Sequence, residues 1–262
     1  TVRHSFPTRR SSDLIPVFAE MSSINPVYLL PESLAKNFEK TALLLANSVT
    51  QGVGQFCTNP GLMIAVDNDD LKKYIKRLGE EIIKTPAGTM LHQGIANNYH
   101  KRMAESLAQK GVSIEAQATD AGNNRQGRAT VVSVSAKDFL KNPLLAEEVF
   151  GPFSLIVKCA DVNELNLLAA RQHGQLTSSI IGEEAEIEKF QSLLNLLKEK
   201  AGRLIINGVP TGVEVVPSQN HGGPYPSTTD SRFTAVGTDA IKRFVRPVAF
   251  QNFPNSLLPE EL

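Results

Sequence analysis

Short apolar runs alternate with amphipathic helical patterns along most of this 262-residue chain, and this alternation constrains the fold more than any other feature. Residues 61–66 form one such run, and residues 67–70 then offer caps and negative charge for a helix predicted to reach about Lys84. Further strands are predicted at 129–134, 153–157, 178–181 and 204–206. Mostly apolar strands separated by helices are typical of a parallel sheet that is covered on both faces. The sequence therefore predicts an α/β fold with a largely parallel open sheet flanked by helices.

One predicted helix leads directly into a loop that carries a cysteine. Ser33 is a candidate N-cap, and the helix is predicted to stop at Gly52. The loop Gly54-Gln55-Phe56-Cys57-Thr58-Asn59 then precedes the strand at 61–66. Loops at the end of a sheet often carry catalytic side chains. Cys57 is therefore a candidate nucleophile, although a lone cysteine is more often a small buried apolar residue.

A carboxylate occupies a comparable place earlier in the chain, because Glu20 follows the apolar run 15–19. A thiol and a carboxylate at two strand ends can supply a nucleophile and a general base. A single glutamate after a strand is usually only a solvated residue, so neither Glu20 nor Cys57 indicates a function alone.

Composition and charge exclude several classes of function. Lys+Arg and Asp+Glu are equal at 27 each, which predicts no nucleic-acid partner. The absence of tryptophan and an aromatic content of 6% argue against a base-stacking surface. No apolar run approaches the ~18 residues of a membrane span. The two cysteines, Cys57 and Cys159, fit a reducing, cytoplasmic setting, and no metal site is predicted.

Three segments resemble motifs of the aldehyde dehydrogenase superfamily. Residues 16–26, which include Glu20, resemble its glutamate motif, and residues 54–57 resemble its cysteine motif. Residues 147–152 resemble the segment that holds the nicotinamide ribose. The three occur in the family's order, and the resemblance covers most of residues 15–250.

Within the superfamily, residues 55–61 are most similar to the NADP-type enzymes that act on 2-oxoglutarate semialdehyde (2,5-dioxopentanoate). Ser23 and Ile24 stand where many members have glycine and lysine, and Thr50 replaces a usual apolar residue. The resemblance implies an aldehyde as small-molecule substrate, NADP or NAD as cofactor, and a homo-oligomeric parent enzyme. Arg203 and Arg232 are candidate partners for a substrate carboxylate, and neither is singled out by the sequence.

The resemblance also implies roles for individual residues. Cys57 would attack the aldehyde carbon, and Glu20 would activate the water that hydrolyses the resulting thioester. Glu148 would hold the nicotinamide ribose, and Phe150 would pack beside the nicotinamide. His221 would lie in the family's glycine-rich anchoring loop, where the sequence predicts a turn residue rather than a catalytic one.

The chain is expected to divide into three parts. Residues 1–14 are Arg/Ser-rich and lack any structural period, so they are interpreted as a non-native or disordered lead. Residues 15–237 are interpreted as the catalytic domain, and residues 238–262 as a C-terminal arm of helix and strand that makes subunit contacts. The family's dinucleotide-binding domain precedes the glutamate motif and is expected to be absent here. The chain is therefore expected to be a fragment that binds NAD(P) poorly and oxidises aldehydes hardly at all.

Two other classes of function remain open. A cysteine-dependent hydrolase or acyltransferase needs a histidine base, and the candidates are His92, His100, His173 and His221. A non-catalytic assembly module would use residues 238–262 for contacts alone.

Overall fold

The computed structural model describes residues 16–212 and 215–260, so the interpretation of residues 1–14 lies outside the described residues. The helices and strands follow one another as β1 (Val27–Leu29), α1 (Pro31–Thr50), β2 (Leu62–Val66), α2 (Asp69–Lys84), β3 (Gly88–Thr89), α3 (Gln93–Leu107), β4 (Ser113–Gln117), β5 (Gln126–Gly127), β6 (Thr130–Ser135), α4 (Ala136–Phe139), β7 (Phe153–Cys159), α5 (Val162–Arg171), β8 (Gln175–Ile181), α6 (Glu184–Lys189), α7 (Gln191–Lys200) and β9 (Ala201–Ile206). Among the described residues, none of the helices combines the length and the apolar character needed to cross a membrane.

A seven-stranded sheet in the order β4-β6-β7-β2-β1-β8-β9 forms the centre of the fold. Every neighbouring pair is parallel except β4 and β6, which pair antiparallel at one edge. The short strands β3 and β5 form a separate two-stranded sheet. The predicted α/β fold with a largely parallel sheet flanked by helices is confirmed.

Successive side chains of the central strands are buried on opposite faces of the sheet. Val27 and Leu29 of β1 pack with the helices α1 and α2 on one face. Tyr28 of the same strand and Ile64 of β2 pack on the other face with α5 and α7. All four side chains are fully buried, which explains why these strands are apolar throughout and why the sheet needs helices on both sides.

Helix α1 begins two residues earlier than the predicted N-cap, so the expected role of Ser33 is wrong. Proline is favoured in the first turn of a helix, and Pro31 starts this one. The carboxylate of Glu186 accepts hydrogen bonds from the backbone N–H groups of Glu32 (2.6 Å) and Ser33 (3.1 Å). A side chain from a distant helix therefore satisfies donors that a local cap would otherwise satisfy.

Helix α2 follows its prediction closely. The side chain of Asn68 accepts from the backbone N–H of Leu71, two aspartates occupy the first turn, and the helix ends at Lys84. Helical periodicity predicts a buried stripe on this helix that consists of Leu71, Ile75, Leu78, Ile82 and Ile83. Leu71, Leu78 and Ile82 are fully buried and Ile75 is partly buried, but Ile83 is 42% exposed, so the prediction is wrong for Ile83.

The remaining differences concern where elements begin and end. The sequence predicts a helix around residues 97–110. Helix α3 begins earlier, at Gln93, because the imidazole of His92 accepts from the backbone N–H of Gly94 and caps the helix. The sequence predicts a helix over residues 185–200 that is ended at Gly202, but Gly202 lies in β9. An added Cβ there would come within 1.8 Å of the carbonyl oxygen of Gly222. Residues 245–250 do not form the predicted strand, and residues 238–243 form only a 3-10 helix. Pro247, which lacks a backbone donor, disfavours strand pairing there.

Candidate active site

The segments that carry the predicted site residues enter three adjacent strands of the sheet. Glu20 precedes β1, Cys57 precedes β2 and Glu148 precedes β7, and these strands are parallel neighbours in the order β7-β2-β1. Because parallel neighbours begin at the same edge of a sheet, the three segments lie side by side at the amino-terminal edge. Residues separated by more than a hundred positions in the chain are thereby brought together.

The Cys57 loop is shaped by consecutive residues in the left-handed region. Gly52, Val53 and Gly54 have φ values of 55°, 59° and 62°. Gly54 packs so closely against the Gly151 backbone that an added Cβ would lie 2.3 Å from it. The amide of Asn59 also donates to the Gly151 carbonyl (3.1 Å). The loop that carries Cys57 is therefore fixed against the loop that carries Glu148 and Phe150.

A buried polar network ties the Cys57 loop to the segment that follows Glu20. The Nδ2 group of Asn25 donates to the carbonyl oxygens of Cys57 (2.9 Å) and Asn59 (3.0 Å). The Oε1 atom of Gln175, at the start of β8, accepts from the Ser23 hydroxyl (2.9 Å) and from the backbone N–H groups of Ile24 and Asn25. Sequence reasoning did not identify Asn25 or Gln175, since their role depends on contacts across three strands.

Three reactive side chains meet at the centre of the site. The Nε2 atom of His221 lies 3.2 Å from the Sγ atom of Cys57 and 2.9 Å from the Oε2 atom of Glu20. The His221 residue is buried, with 7% exposure, and Cys57 is partly buried. A single ring nitrogen thus faces both the candidate nucleophile and the candidate base.

Backbone pairing positions His221 beside Glu20. Glu20 forms an antiparallel bridge with Thr228, and the N–H of Met21 donates to the Ser227 carbonyl (2.9 Å). The backbone N–H of His221 donates to the Thr234 hydroxyl (2.8 Å), and its carbonyl accepts from the N–H of Ala235 (2.7 Å). The loop that carries His221 is therefore held to the Glu20 segment on one side and to residues 234–235 on the other.

The contacts of His221 keep it charged. Hydrogen bonding to Cys57 and then to Glu20 raises the pKa of His221 to about 9, against the opposing effect of burial. The pKa of Glu20 is lowered, chiefly by its hydrogen bond to His221, while burial acts in the opposite direction. At neutral pH an imidazolium thus stands between the thiol and an ionised carboxylate. The prediction that His221 is only a turn residue did not anticipate this arrangement.

Glu148 and Phe150 line the same cavity as Cys57 and Glu20. The cavity has a volume of about 440 Å³, and its wall also includes residues at the start of α3. Burial raises the pKa of Glu148 to about 7, although the Ser22 hydroxyl donates to its Oε2 atom at 3.1 Å. The four predicted site residues therefore share one cleft, and the half-buried carboxyl group of Glu148 lines it together with the Cys57 thiol.

The second cysteine, Cys159, lies outside this cleft and differs from Cys57 in its burial. Cys159 ends β7 in the core and is fully buried. Burial raises the pKa of its thiol to about 12. Such a thiol is inert at neutral pH, so only Cys57 combines access with a charged partner.

The chain is similar to known proteins over most of its length. Residues 5–248 match the model of the aldehyde dehydrogenase family. The alpha-ketoglutaric semialdehyde dehydrogenase 2 of Azospirillum brasilense is 44% identical over 248 residues, covering 95% of this chain and 47% of that protein. The alpha-ketoglutaric semialdehyde dehydrogenase of Acinetobacter baylyi is 41% identical over 253 residues, with the same two coverages. The chain thus spans about half the length of the curated relatives that it matches.

The fold has solved counterparts. A betaine aldehyde dehydrogenase from Staphylococcus aureus, solved in complex with NAD⁺, superposes with a TM-score of 0.71 at 18% identity, covering 89% of this chain and 46% of that one. At this identity the likeness concerns the fold alone, whereas the family match extends over nearly the whole sequence. The resemblance of the three sequence motifs is confirmed, and the chain belongs to the aldehyde dehydrogenase family.

Proposed function

We propose that this chain carries the catalytic centre of an NAD(P)-dependent aldehyde dehydrogenase that oxidises a 2-oxo-acid semialdehyde to a carboxylate. One observation carries the proposal: the contact of Cys57, His221 and Glu20 beside a cleft that is lined by Glu148 and Phe150. Since the chain spans 47% of its curated relatives, the activity is proposed for the whole protein.

Cys57 is the nucleophile in this proposal. The charged imidazole of His221, 3.2 Å from Sγ, can donate a hydrogen bond to a thiolate, which is the reactive form of cysteine. Attack of Sγ on the aldehyde carbon gives a tetrahedral thiohemiacetal. The backbone N–H of Cys57 is a candidate donor to its oxyanion.

The cleft is proposed to hold the nicotinamide end of a dinucleotide. Glu148 presents a carboxyl group to the cleft, and Phe150 presents an apolar ring. Glu148 would accept hydrogen bonds from the ribose hydroxyls, and Phe150 would pack beside the ring. When bound, NAD or NADP supplies the hydride acceptor that turns the thiohemiacetal into a thioester. Most of the cofactor-binding surface is proposed to belong to the part of the relatives that this chain does not span.

Glu20 completes the cycle as general base. Its lowered pKa keeps the carboxylate ionised at neutral pH, ready to take a proton from water. Attack of that water on the thioester releases the carboxylate product and regenerates the Cys57 thiolate. In the structure Glu20 is hydrogen-bonded to His221, so the proposal requires this contact to loosen when water is activated.

The substrate is inferred from the relatives. Both curated relatives are named for alpha-ketoglutaric semialdehyde, which carries a carboxylate at the end opposite the aldehyde. Arg232 is exposed, and its guanidinium forms a bidentate ion pair with the carboxylate of Asp230. Arg203 is half-buried; burial lowers the pKa of its guanidinium, and the nearby Cys57 acts in the opposite direction. Within the described part of the chain, the guanidinium donates to the backbone carbonyls of Pro210 and Gly212 and not to a carboxylate. We therefore assign Arg203 as the better candidate for the substrate carboxylate.

The C-terminal arm is proposed to contact a second subunit. Several of its large apolar side chains are exposed, among them Phe244 (79%), Val245 (59%) and Leu257 (64%). Removal of such side chains from water on oligomer formation is favourable.

The test is aldehyde-dependent reduction of NAD or NADP by the whole protein, followed by the absorbance of the reduced nicotinamide. The proposal predicts oxidation of 2-oxoglutarate semialdehyde that is abolished by Cys57→Ala and retained in Cys159→Ala. Absence of nucleotide reduction with any aldehyde would contradict it. Robust oxidation by the 262-residue chain alone would instead show that the remaining half of the relatives is not needed.

The contact between Cys57 and His221 also favours a second candidate, a cysteine-dependent hydrolase or acyltransferase. Such an enzyme uses histidine as the base for its thiol, and the 3.2 Å separation suits that role. The two functions differ in one readout: a hydrolase or acyltransferase never reduces a nicotinamide cofactor, whichever acyl group it transfers.

A further inference from the structure

The donor atoms at the centre of the site also form a metal-ligand set. Glu20 offers a carboxylate oxygen, Cys57 a sulfur and His221 a ring nitrogen, and these atoms all lie within 4.8 Å of one another. The three side chains come from different segments, and each is held in place by backbone pairing or hydrogen bonds. No metal site was expected from the sequence, because the three residues share no ligand spacing.

The separations are close to those of a tetrahedral zinc site. With typical bond lengths to sulfur, nitrogen and oxygen, neighbouring ligand atoms around Zn²⁺ are about 3.3–3.6 Å apart. The observed separations are 3.2 Å between Sγ and Nε2 and 2.9 Å between Nε2 and Oε2. An outward shift of a few tenths of an ångström therefore brings these two pairs to coordinating separations, and the Sγ and Oε2 atoms lie within 4.8 Å of each other.

The chemistry of the donors selects among metals. A thiolate together with an imidazole suits Zn²⁺, whereas Mg²⁺ and Ca²⁺ require mainly oxygen ligands. The Cys57 thiolate and the Glu20 carboxylate neutralise the two positive charges of the ion. Three protein ligands leave a fourth position open towards the cavity, where water can bind.

We propose that Glu20, Cys57 and His221 bind one Zn²⁺ ion and that this ion reversibly masks the thiol. The bond from zinc to Sγ replaces the S–H bond, and the bond from zinc to Nε2 replaces the N–H bond of the His221 imidazolium. Both protons pass to solvent, and no oxidation or reduction is involved. A masked thiol cannot attack an aldehyde or an alkylating agent. The inference does not rest on the proposed dehydrogenase activity, since it requires neither aldehyde nor cofactor.

Isothermal titration calorimetry of the 262-residue chain with Zn²⁺ tests the stoichiometry. One Zn²⁺ per chain is expected. Mutation of a residue that only hydrogen-bonds to a metal ligand typically lowers metal affinity by about 10- to 100-fold. Cys57→Ser and His221→Asn change the ligands themselves, so each is expected to lower the affinity for Zn²⁺ by at least about tenfold. Cys159→Ala and His173→Asn are matched controls that remove a thiol and an imidazole outside the set, and both are expected to bind like the parent chain. Absence of binding, or equal affinity in all four variants, would overturn the proposal.

Substitution with Co²⁺ supplies a spectroscopic signature of the same site. The thiolate-to-cobalt charge-transfer band is expected in the parent chain and in Cys159→Ala, and it should vanish in Cys57→Ser. A band that persists without Cys57 would overturn the assignment.

A third measurement uses the parent chain alone, so its result does not depend on whether the variants fold. Zn²⁺ is expected to slow iodoacetamide modification of Cys57, mapped by peptide mass spectrometry, by at least about tenfold, whereas Mg²⁺ has no effect. An unchanged modification rate in saturating Zn²⁺ would overturn the proposal. Because none of these readouts uses an aldehyde, they can fail while the dehydrogenase assay succeeds, and the reverse also holds.

Discussion

The Sγ atom of Cys57 lies 3.2 Å from the Nε2 atom of His221, although 164 positions separate the two residues in the chain. The contact joins the loop before β2 to the loop-rich segment after β9, and Glu20 completes it from the other side of the ring. A thiol, an imidazolium and a carboxylate in series are the groups that cysteine chemistry requires near neutral pH.

The first prediction concerns the reactivity of the two thiols. Cys57 is expected to react with iodoacetamide at least about 100-fold faster than Cys159 near pH 8, because the buried thiol with a pKa of about 12 is almost entirely protonated there. Peptide mapping after timed alkylation measures both rates in one sample. Equal rates would show that the site is not activated in this chain.

The second prediction tests His221 as the partner of the thiol. Hydrogen bonds to charged groups contribute about 1.5–3 kcal/mol, so His221→Asn is expected to slow Cys57 alkylation by roughly 10- to 100-fold. His173→Asn removes an exposed histidine elsewhere and serves as the control. If both variants alkylate at the parent rate, the contact has no influence on the thiol.

The third prediction concerns stability against pH. The pKa of His221 rises from 6.5 to about 9 on folding, so the folded state binds the proton more tightly. The resulting stabilisation, up to about 3 kcal/mol, is fully present below pH ~6.5 and is lost as the pH rises through about 9. Urea unfolding of the parent chain and of His221→Asn should therefore differ most near pH 6.5 and converge by about pH 10. A difference that does not depend on pH over this range would contradict the ion-pair assignment.

The fourth prediction concerns the half-buried carboxyl group of Glu148. Burial raises its pKa from 4.5 to about 7, so ionisation of this group is less favourable in the folded state than in the unfolded state. The free energy of unfolding therefore falls as the pH rises from about 4.5 to about 7. Glu148→Gln is expected to raise the free energy of unfolding by about 1–3 kcal/mol at pH 8 and to have little effect below pH ~4.5. The Ser22 hydroxyl can still donate to the amide oxygen, which makes the substitution conservative. Destabilisation at pH 8 would contradict the prediction, and the same variant is expected to weaken cofactor binding in the whole protein.

The sequence predicted the parts of the molecule that depend on local patterns. Apolar runs located β2, β6, β7 and β9, and caps and periodicity located α2 with its correct end. Motif resemblance located Glu20, Cys57, Glu148 and Phe150, all of which line one cavity. These features are encoded within a few residues of one another, which is why they can be identified without a structure.

Features that depend on distant contacts were not predictable in this way. The sequence predicts Ser33 as a local N-cap, but the carboxylate of Glu186 in α6 accepts hydrogen bonds from the first backbone N–H groups of α1. The sequence around His221 predicts only a turn residue. In the structure, the antiparallel bridge between Glu20 and Thr228 places the loop that carries His221 beside Cys57. The concentration of glycine and proline at residues 208–226 is a local signal for this segment, because a long irregular segment in a compact domain is usually functional.

Trapping of an acyl-enzyme tests the central claim most directly, namely that Cys57 is the nucleophile and Glu20 the base of one site. An activated ester is added to the 262-residue chain and to Glu20→Gln, and intact mass and peptide mapping follow the acyl group with time. The account predicts one acyl group on Cys57 in both, short-lived in the parent chain and accumulating in Glu20→Gln because deacylation lacks its base. Acylation at another residue, or equal lifetimes of the acyl group in the two proteins, would contradict the account.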